Sequence, residues 1–268
     1  TCTGNSDTFL ITVNPIPDVA SVSDQSLCAK LLTTPINFIS TVNNTLFSWI
    51  NDNPSIGLAS SGNGNIPSFT VINESLELQT ATIIVTPSFT NNGLTCTGSS
   101  DTFLITVNPI PDISITADQT LCHNTQTTPI NFTSSVTNTV FNWTNNNTTI
   151  GLAASGNGNI PSFTVTNTGP SPQIATIIAT PSFTNNGVTC TGSSDTFLIT
   201  VNPIPDIASV SDQSLCANLL TTPINFVSTV NNTLFSWIND NPSIGLPSSG
   251  SGNIPSFTVI NESLELQT

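Results

Sequence analysis

Few side chains in this sequence can do covalent or metal chemistry, and most of them are cysteines. There are six Cys, one His and a single basic side chain, Lys30. Cys122 and His123 are adjacent, a pairing from which a thiolate nucleophile or a metal site can be built. A nucleophile also needs an orienting group, and a metal needs more ligands. No second His exists, and the equivalent repeat positions hold Ala29 and Ala217. His123 therefore reads as an exposed loop residue. No Cys-x-x-Cys spacing occurs, so zinc is not expected. One His and one Lys cannot supply a base, a nucleophile and an oxyanion site, so neither a catalytic residue nor a cofactor is expected. A lysine-to-asparagine isopeptide brace could use only Lys30. The cysteines themselves recur at fixed phase: Cys2, Cys96 and Cys190 are 94 residues apart, and so are Cys28, Cys122 and Cys216. An even number at regular spacing points to disulfides in an oxidising compartment.

Carboxylates are the other candidates. Asp18, Asp24, Asp112 and Asp118, with Asp206 and Asp212, occupy repeated positions near Pro-Ile-Pro segments. Calcium held between repeats would need several such oxygens on converging loops. No Asp-x-Asp-x-Asp-Gly loop is present, and the plainer reading is solvated surface carboxylates with no metal. Fifteen acids against one base give a formal charge of −14. A chain with Lys30 as its single Lys or Arg cannot neutralise a run of phosphates, which excludes nucleic acid and anionic membrane surfaces as partners. No apolar run is long enough to insert into a membrane.

The elements that carry these residues follow from the repeat. Thr95–Asp112 has near copies at Thr1–Asp18 and Thr189–Asp206. A period of 94 exceeds a solenoid unit and suits one sandwich domain of ~100 residues. Residues 1–14 read as the last strand of a preceding repeat, 15–108 and 109–202 as two complete repeats, and 203–268 as an incomplete one. Residues 15–80 and 203–268 differ at five positions, whereas 109–202 diverges much more, so two kinds of repeat alternate. The sequence starts and stops inside repeats, which implies a segment of a longer array.

Within residues 15–108, strands are expected at Val19–Val22 (A), Pro35–Val42 (B), Leu46–Ile50 (C), Ile66–Val71 (E), Ala81–Thr86 (F) and Phe103–Val107 (G). Asp24–Thr34 reads as a loop carrying Cys28. Apolar residues alternate and Gly or Pro punctuates, with no helical period, which predicts an all-β tandem array of antiparallel sandwiches. Phe47, Trp49 and Phe69 could form a sugar-binding platform, but their two-residue placement assigns them to the core.

Pro15-Ile-Pro-Asp18, Leu27-Cys28, Phe47-Ser-Trp49, Ile83-Ile-Val-Thr-Pro87, Cys96-Thr-Gly98 and Thr102-Phe-Leu-Ile-Thr-Val-Asn-Pro109 together resemble a PKD-like, immunoglobulin-type repeat. Such repeats fill giant cell-surface adhesins of Bacteroidota, including gliding-motility adhesins exported by type IX secretion. The resemblance implies an extracellular, cell-surface setting, with outer-membrane attachment through regions outside this segment. The implied role is a rigid structural stalk for surface attachment and gliding. Its partners would be neighbouring repeats, other copies in a filament, or surface polysaccharide. Non-catalytic spacers of a secreted enzyme, or a laterally assembled filament subunit, are the alternatives. Asp7-Thr8, Asp101-Thr102 and Asp195-Thr196 resemble the Asp-Ser/Thr core of the O-glycosylation signal of these bacteria, though Phe follows in each. Thr8, Thr102 and Thr196 are thus glycan candidates, and Asn142 opens an N-glycan triplet.

Sandwich topology bears on the cysteines. In an end-to-end array strand A starts at the upstream end of its repeat and strand G leaves at the downstream end. The A–B loop with Cys28 then lies downstream and the F–G turn with Cys96 upstream, about 30 Å away. A disulfide needs Cα atoms within ~7 Å. This favours Cys28–Cys190 across the Pro109-Ile-Pro111 joint. The alternative is Cys28–Cys96 with Cys122–Cys190, each within one repeat.

Overall fold

Alternating apolar and polar residues, interrupted by Gly, Pro and Asn, leave strands and turns as the regular structure, with only single 3₁₀ turns at Pro54–Ile56, Thr148–Ile150 and Pro242–Ile244. A computed structural model describes residues 1–268. The first sheet is built from β1 (Gln25–Cys28), β2 (Leu46–Asn51), β3 (Ser61–Asn63), β4 (Gln79–Asn91), β5 (Leu94–Thr97) and β6 (Asp101–Asn108). Their order is β1-β6-β4-β2-β3, with β5 on β4. The second has the same order from β7 (Gln119–Cys122), β8 (Val140–Asn145), β9 (Ser155–Asn157), β10 (Gln173–Asn185), β11 (Val188–Thr191) and β12 (Asp195–Asn202). β13 (Ser236–Ile238) and β14 (Ser249–Ser251) form a two-stranded sheet. No helix is long and apolar enough to cross a membrane.

Strands C, F and G of the sequence reading correspond to β2, β4 and β6. β4 alternates with Ala81, Ile83 and Val85 inward, and β6 with Phe103, Ile105 and Val107 inward. β4 extends well past Thr86 and folds back on β5 through Asn92-Gly93, at φ 48° and 79°. Two residues at positive φ make the tight hairpin turn whose twist matches that of the strands.

The expected strand A and the loop at Asp24–Thr34 need correction. Residues 19–22 are not a strand, and Gln25–Cys28, inside that supposed loop, is β1. It lies parallel to β6, with Gln25 opposite Ile105 and Cys28 opposite Asn108. Two carboxylates place the chain there: Asp101 Oδ2 accepts the Val22 N–H, and Asp24 Oδ1 accepts the Leu104 N–H at 2.7 Å. The fold is thus an all-β, Ig-like sandwich in which each six-stranded sheet holds one parallel pair rather than a wholly antiparallel one.

The opposite layer also departs from the sequence reading. Strands B and E are reduced to isolated bridges, Ile36 to Ile66 and Leu32 to Thr70. Pro35 and Pro67 have no N–H to donate, and side chains replace ladder partners. Gln25 bonds both the N–H and the carbonyl of Thr34, Asn65 Oδ1 accepts the Phe38 N–H, and Thr33 Oγ1 accepts the Phe69 N–H. The layer still closes the core. Ile36, Phe38, Ile66 and Val71 pack on Trp49, Ile83, Val85, Phe103, Ile105 and Val107. Burying side chains of this size contributes roughly 1.5–3 kcal/mol each.

Two compact units divide the chain. One comprises Thr1–Ile115, Phe132–Trp143 and Ala179–Asp195; the other comprises Thr116–Asn131, Thr144–Ile178 and Thr196–Thr268. The β10–β11 turn, with Cys190, therefore belongs to the unit that holds Cys28.

Candidate functional site at the repeat junction

Parallel pairing carries Cys28 to the C-terminal end of β6, beside Asn108. Cys190 lies on β11 opposite Phe183, near the Asn186-Gly187 turn. The two cysteines form a disulfide with Cα atoms 5.5 Å apart and a sequence separation of 162. Cys28 is 8% exposed and Cys190 1%. Its counterpart Cys96 is a partly exposed free thiol, and Cys2, Cys122 and Cys216 are exposed free thiols. The pairing Cys28–Cys96 with Cys122–Cys190 is not the one formed. Cys96 sits opposite Phe89 on β5, before β6 begins, while Cys28 is at the far end of β6. An eight-residue strand separates such positions by roughly 25 Å.

Beneath the disulfide lies a polar clamp. Asn108 is fully buried. Its Oδ1 accepts from Asn185 Nδ2 at 3.0 Å, and its backbone carbonyl accepts the Ala29 N–H at 3.0 Å. Gly192 donates its N–H to the Pro181 carbonyl. A Cβ on Gly192 would stand 1.8 Å from the Pro111 carbonyl oxygen, so the linker lies directly on that glycine. The same parts meet at the first Pro-Ile-Pro. Asn91 Nδ2 donates to Asn14 Oδ1 at 2.8 Å, and a Cβ on Gly98 would stand 1.8 Å from the Pro17 carbonyl oxygen. The sequence reading passed over these asparagines and glycines. The available signal was their fixed phase in Val-Asn-Pro, Thr-Asn-Asn-Gly and Cys-Thr-Gly.

The calcium candidates serve as internal acceptors. Asp18 Oδ1 accepts from Ser40 Oγ, the Thr41 N–H and Thr41 Oγ1 at 2.7, 2.7 and 3.0 Å. Asp112 accepts from Ser134 Oγ, the Ser135 N–H and Ser135 Oγ, each at 2.7 Å. Asp24 and Asp118 hold the Leu104 and Leu198 N–H groups. The structure does not gather three acidic, His or Cys side chains into a metal-binding group. The Ser134 hydroxyl, then Ser135, lowers the Asp112 pKa from 3.8 to about 2. The hydroxyls of Ser40 and Ser228, followed by the threonine donors, lower those of Asp18 and Asp206.

His123 is half-buried rather than exposed, with Nδ1 accepting the Asn167 N–H at 3.0 Å. Trp49 is buried, and Phe47 and Phe69 pack on the same core, with Phe47 5.5 Å from Phe38 between ring centroids. Thr8 is exposed outside any strand, Thr102 and Thr196 are exposed on β6 and β12, and Asn142 is exposed on β8.

No curated protein matches the chain in sequence. Among solved structures it is similar to Sidekick-1 immunoglobulin domains 1–5 (12% identity, TM-score 0.33, 91% of this chain and 54% of that one). It is also similar to the human desmocollin-1 ectodomain (10%, 0.27, 93% and 53%). A third is a SusE-like, surface-located polysaccharide-binding protein from the heparin utilisation locus of Bacteroides thetaiotaomicron (10%, 0.26, 90% and 45%). The chain spans about half the length of each of these structures. Residues 25–111, from the start of β1 to the last proline of the junction, match the PKD-like domain family.

Proposed function

We propose that the chain is a non-catalytic stalk segment of an extracellular surface adhesin, built from domains at 15–108, 109–202 and 203–268, whose purpose is stiff reach. The observation that carries this reading is the Cys28–Cys190 disulfide across the Pro109-Ile-Pro111 linker. Linker and disulfide provide two covalent connections at one joint. Tension arriving at Cys28 passes straight to Cys190 and then along β12. Repetition of the cysteines at a 94-residue spacing would interleave such paths along a longer array. Each repeat would add roughly 35–40 Å of reach (a strand length plus a joint). The neighbouring repeats are its first partners, and an outer-membrane anchor and any adhesive tip lie in other parts of the protein.

Small-angle scattering on arrays of two, four and six repeats tests the reading. A maximum dimension rising linearly with repeat number is the expected result. Growth as the square root of repeat number would mean flexible joints and would remove the stalk role. A second reading, end-to-end assembly of separate copies, draws on the exposed thiols of Cys2, Cys122 and Cys216. It requires disulfide-linked oligomers on non-reducing gels of the purified chain.

A further inference from the structure

The junction occurs twice with the same contacts. At Asn108 the clamp is accompanied by Cys28–Cys190. At Asn14 the amide bond is 2.8 Å and the glycine-to-proline approach is again 1.8 Å. The polar and steric contacts therefore recur as a unit at both Asn-Pro-Ile-Pro segments. We infer that the hairpin end of each six-stranded sheet is a docking surface for the chain's own Asn-Pro-Ile-Pro segment, and that this non-covalent latch sets the junction before the disulfide closes.

Each part has a physical role. Asn108 is fully buried, and its side-chain oxygen receives Asn185. Undocking would leave that amide to find water, so the bond is specific as well as attractive. Gly192 has no side chain, and only its absence admits the Pro111 carbonyl. Pro109 and Pro111 fix φ at two linker positions, which lowers the entropy lost on docking. With the latch closed the two thiols already stand at bonding range, and oxidation adds permanence rather than orientation.

The test measures how strongly the latch presents one thiol to the other. It uses the full chain carrying Cys2→Ser, Cys96→Ser, Cys122→Ser and Cys216→Ser, equilibrated in glutathione buffers. Each protein disulfide formed from two thiols converts one oxidised glutathione into two reduced ones. The equilibrium therefore gives the effective concentration of Cys28 and Cys190 for each other. A flexible tether gives about millimolar values; the latch predicts at least tenfold more. Asn185→Ala and Gly192→Ala each break the latch on the hairpin side, away from the buried centre. Either should lower the value about tenfold or more, the factor equivalent to one hydrogen bond, with far-ultraviolet dichroism and tryptophan emission unchanged. A loss in one folded variant is sufficient support. A millimolar value for the parent, or no change in both variants, overturns the inference. Neither result depends on whether long arrays are straight, so the latch and the stalk fail separately.

Discussion

A hydroxyl-bound carboxylate marks the end of each Pro-Ile-Pro segment, and its chemistry makes the stability of that corner pH-dependent. Asp112 holds its three donors only as the anion, and the Ser134 and Ser135 contacts bring its pKa down to about 2. A carboxylate with a lowered folded-state pKa contributes stability that is fully present above its unfolded pKa. That contribution is lost as pH falls through the folded value. The window here runs from about 3.8 down to about 2. Urea midpoints at pH 5, 3 and 2 should fall for the native chain, and Asp112→Asn should be less stable at pH 5 with a shallower decline. Parallel declines would mean that Asp112 contributes nothing. The sequence put Asp112 at the joint but read it as a solvated surface carboxylate, with calcium as the alternative. Its partners Ser134 and Ser135 lie more than twenty residues away, and no periodicity links them. The same holds for Asn108, which in Val-Asn-Pro reads as an ordinary turn residue although it is buried and clamped.

At the scale of elements, legibility followed the locality of the pattern. β2, β4 and β6 could be read because alternation alone identifies a strand with one buried face: β4 and β6 each carry three or more inward apolar or aromatic positions, and β2 carries Phe47 and Trp49. β1 could not, because Gln25–Cys28 does not alternate cleanly and its partner strand lies about eighty residues on. The bridged layer was overcalled for a related reason: Pro35–Val42 alternates well enough to bury Ile36 and Phe38, while its prolines and side-chain bonds break the ladder. One packing relation between β2 and β3 is sharp enough to test. Gly62 pairs with Trp49, and a Cβ at Gly62 would meet the indole ring at 2.2 Å. The ring is backed by the core and cannot withdraw, so Gly62→Ala should cost ~1–3 kcal/mol in denaturant unfolding. Gly64→Ala, two residues on, meets no atom within 4 Å and tests only the positive φ of 70°. Gly62 has no positive φ, so a Gly62→Ala variant as stable as the native chain would mean that the indole ring shifts to admit the methyl group.

At the scale of the whole molecule, the proposed stalk role turns on the route that tension takes. A force applied to the two termini reaches Cys28 from one side and Cys190 from the other, and the disulfide joins them directly. β2 to β6 lie between the two cysteines, so the core of the first sheet is outside the tension path and cannot be pulled apart by it. The shielded stretch is 162 residues long. Fully extended, that length of chain spans roughly 550 Å. Single-molecule pulling in oxidising buffer should therefore release about that much less contour length than pulling in reducing buffer. The missing length should appear in the same molecules once a reductant is added. The latch predicts a further detail. In reducing buffer the joint should still resist first separation, and Asn185→Ala should lower that first force without changing the total length released. Identical contour lengths in the two buffers would mean that no covalent bypass operates under load. The proposed stalk role would then rest on the strength of each sandwich and of the Asn-Pro-Ile-Pro contacts alone.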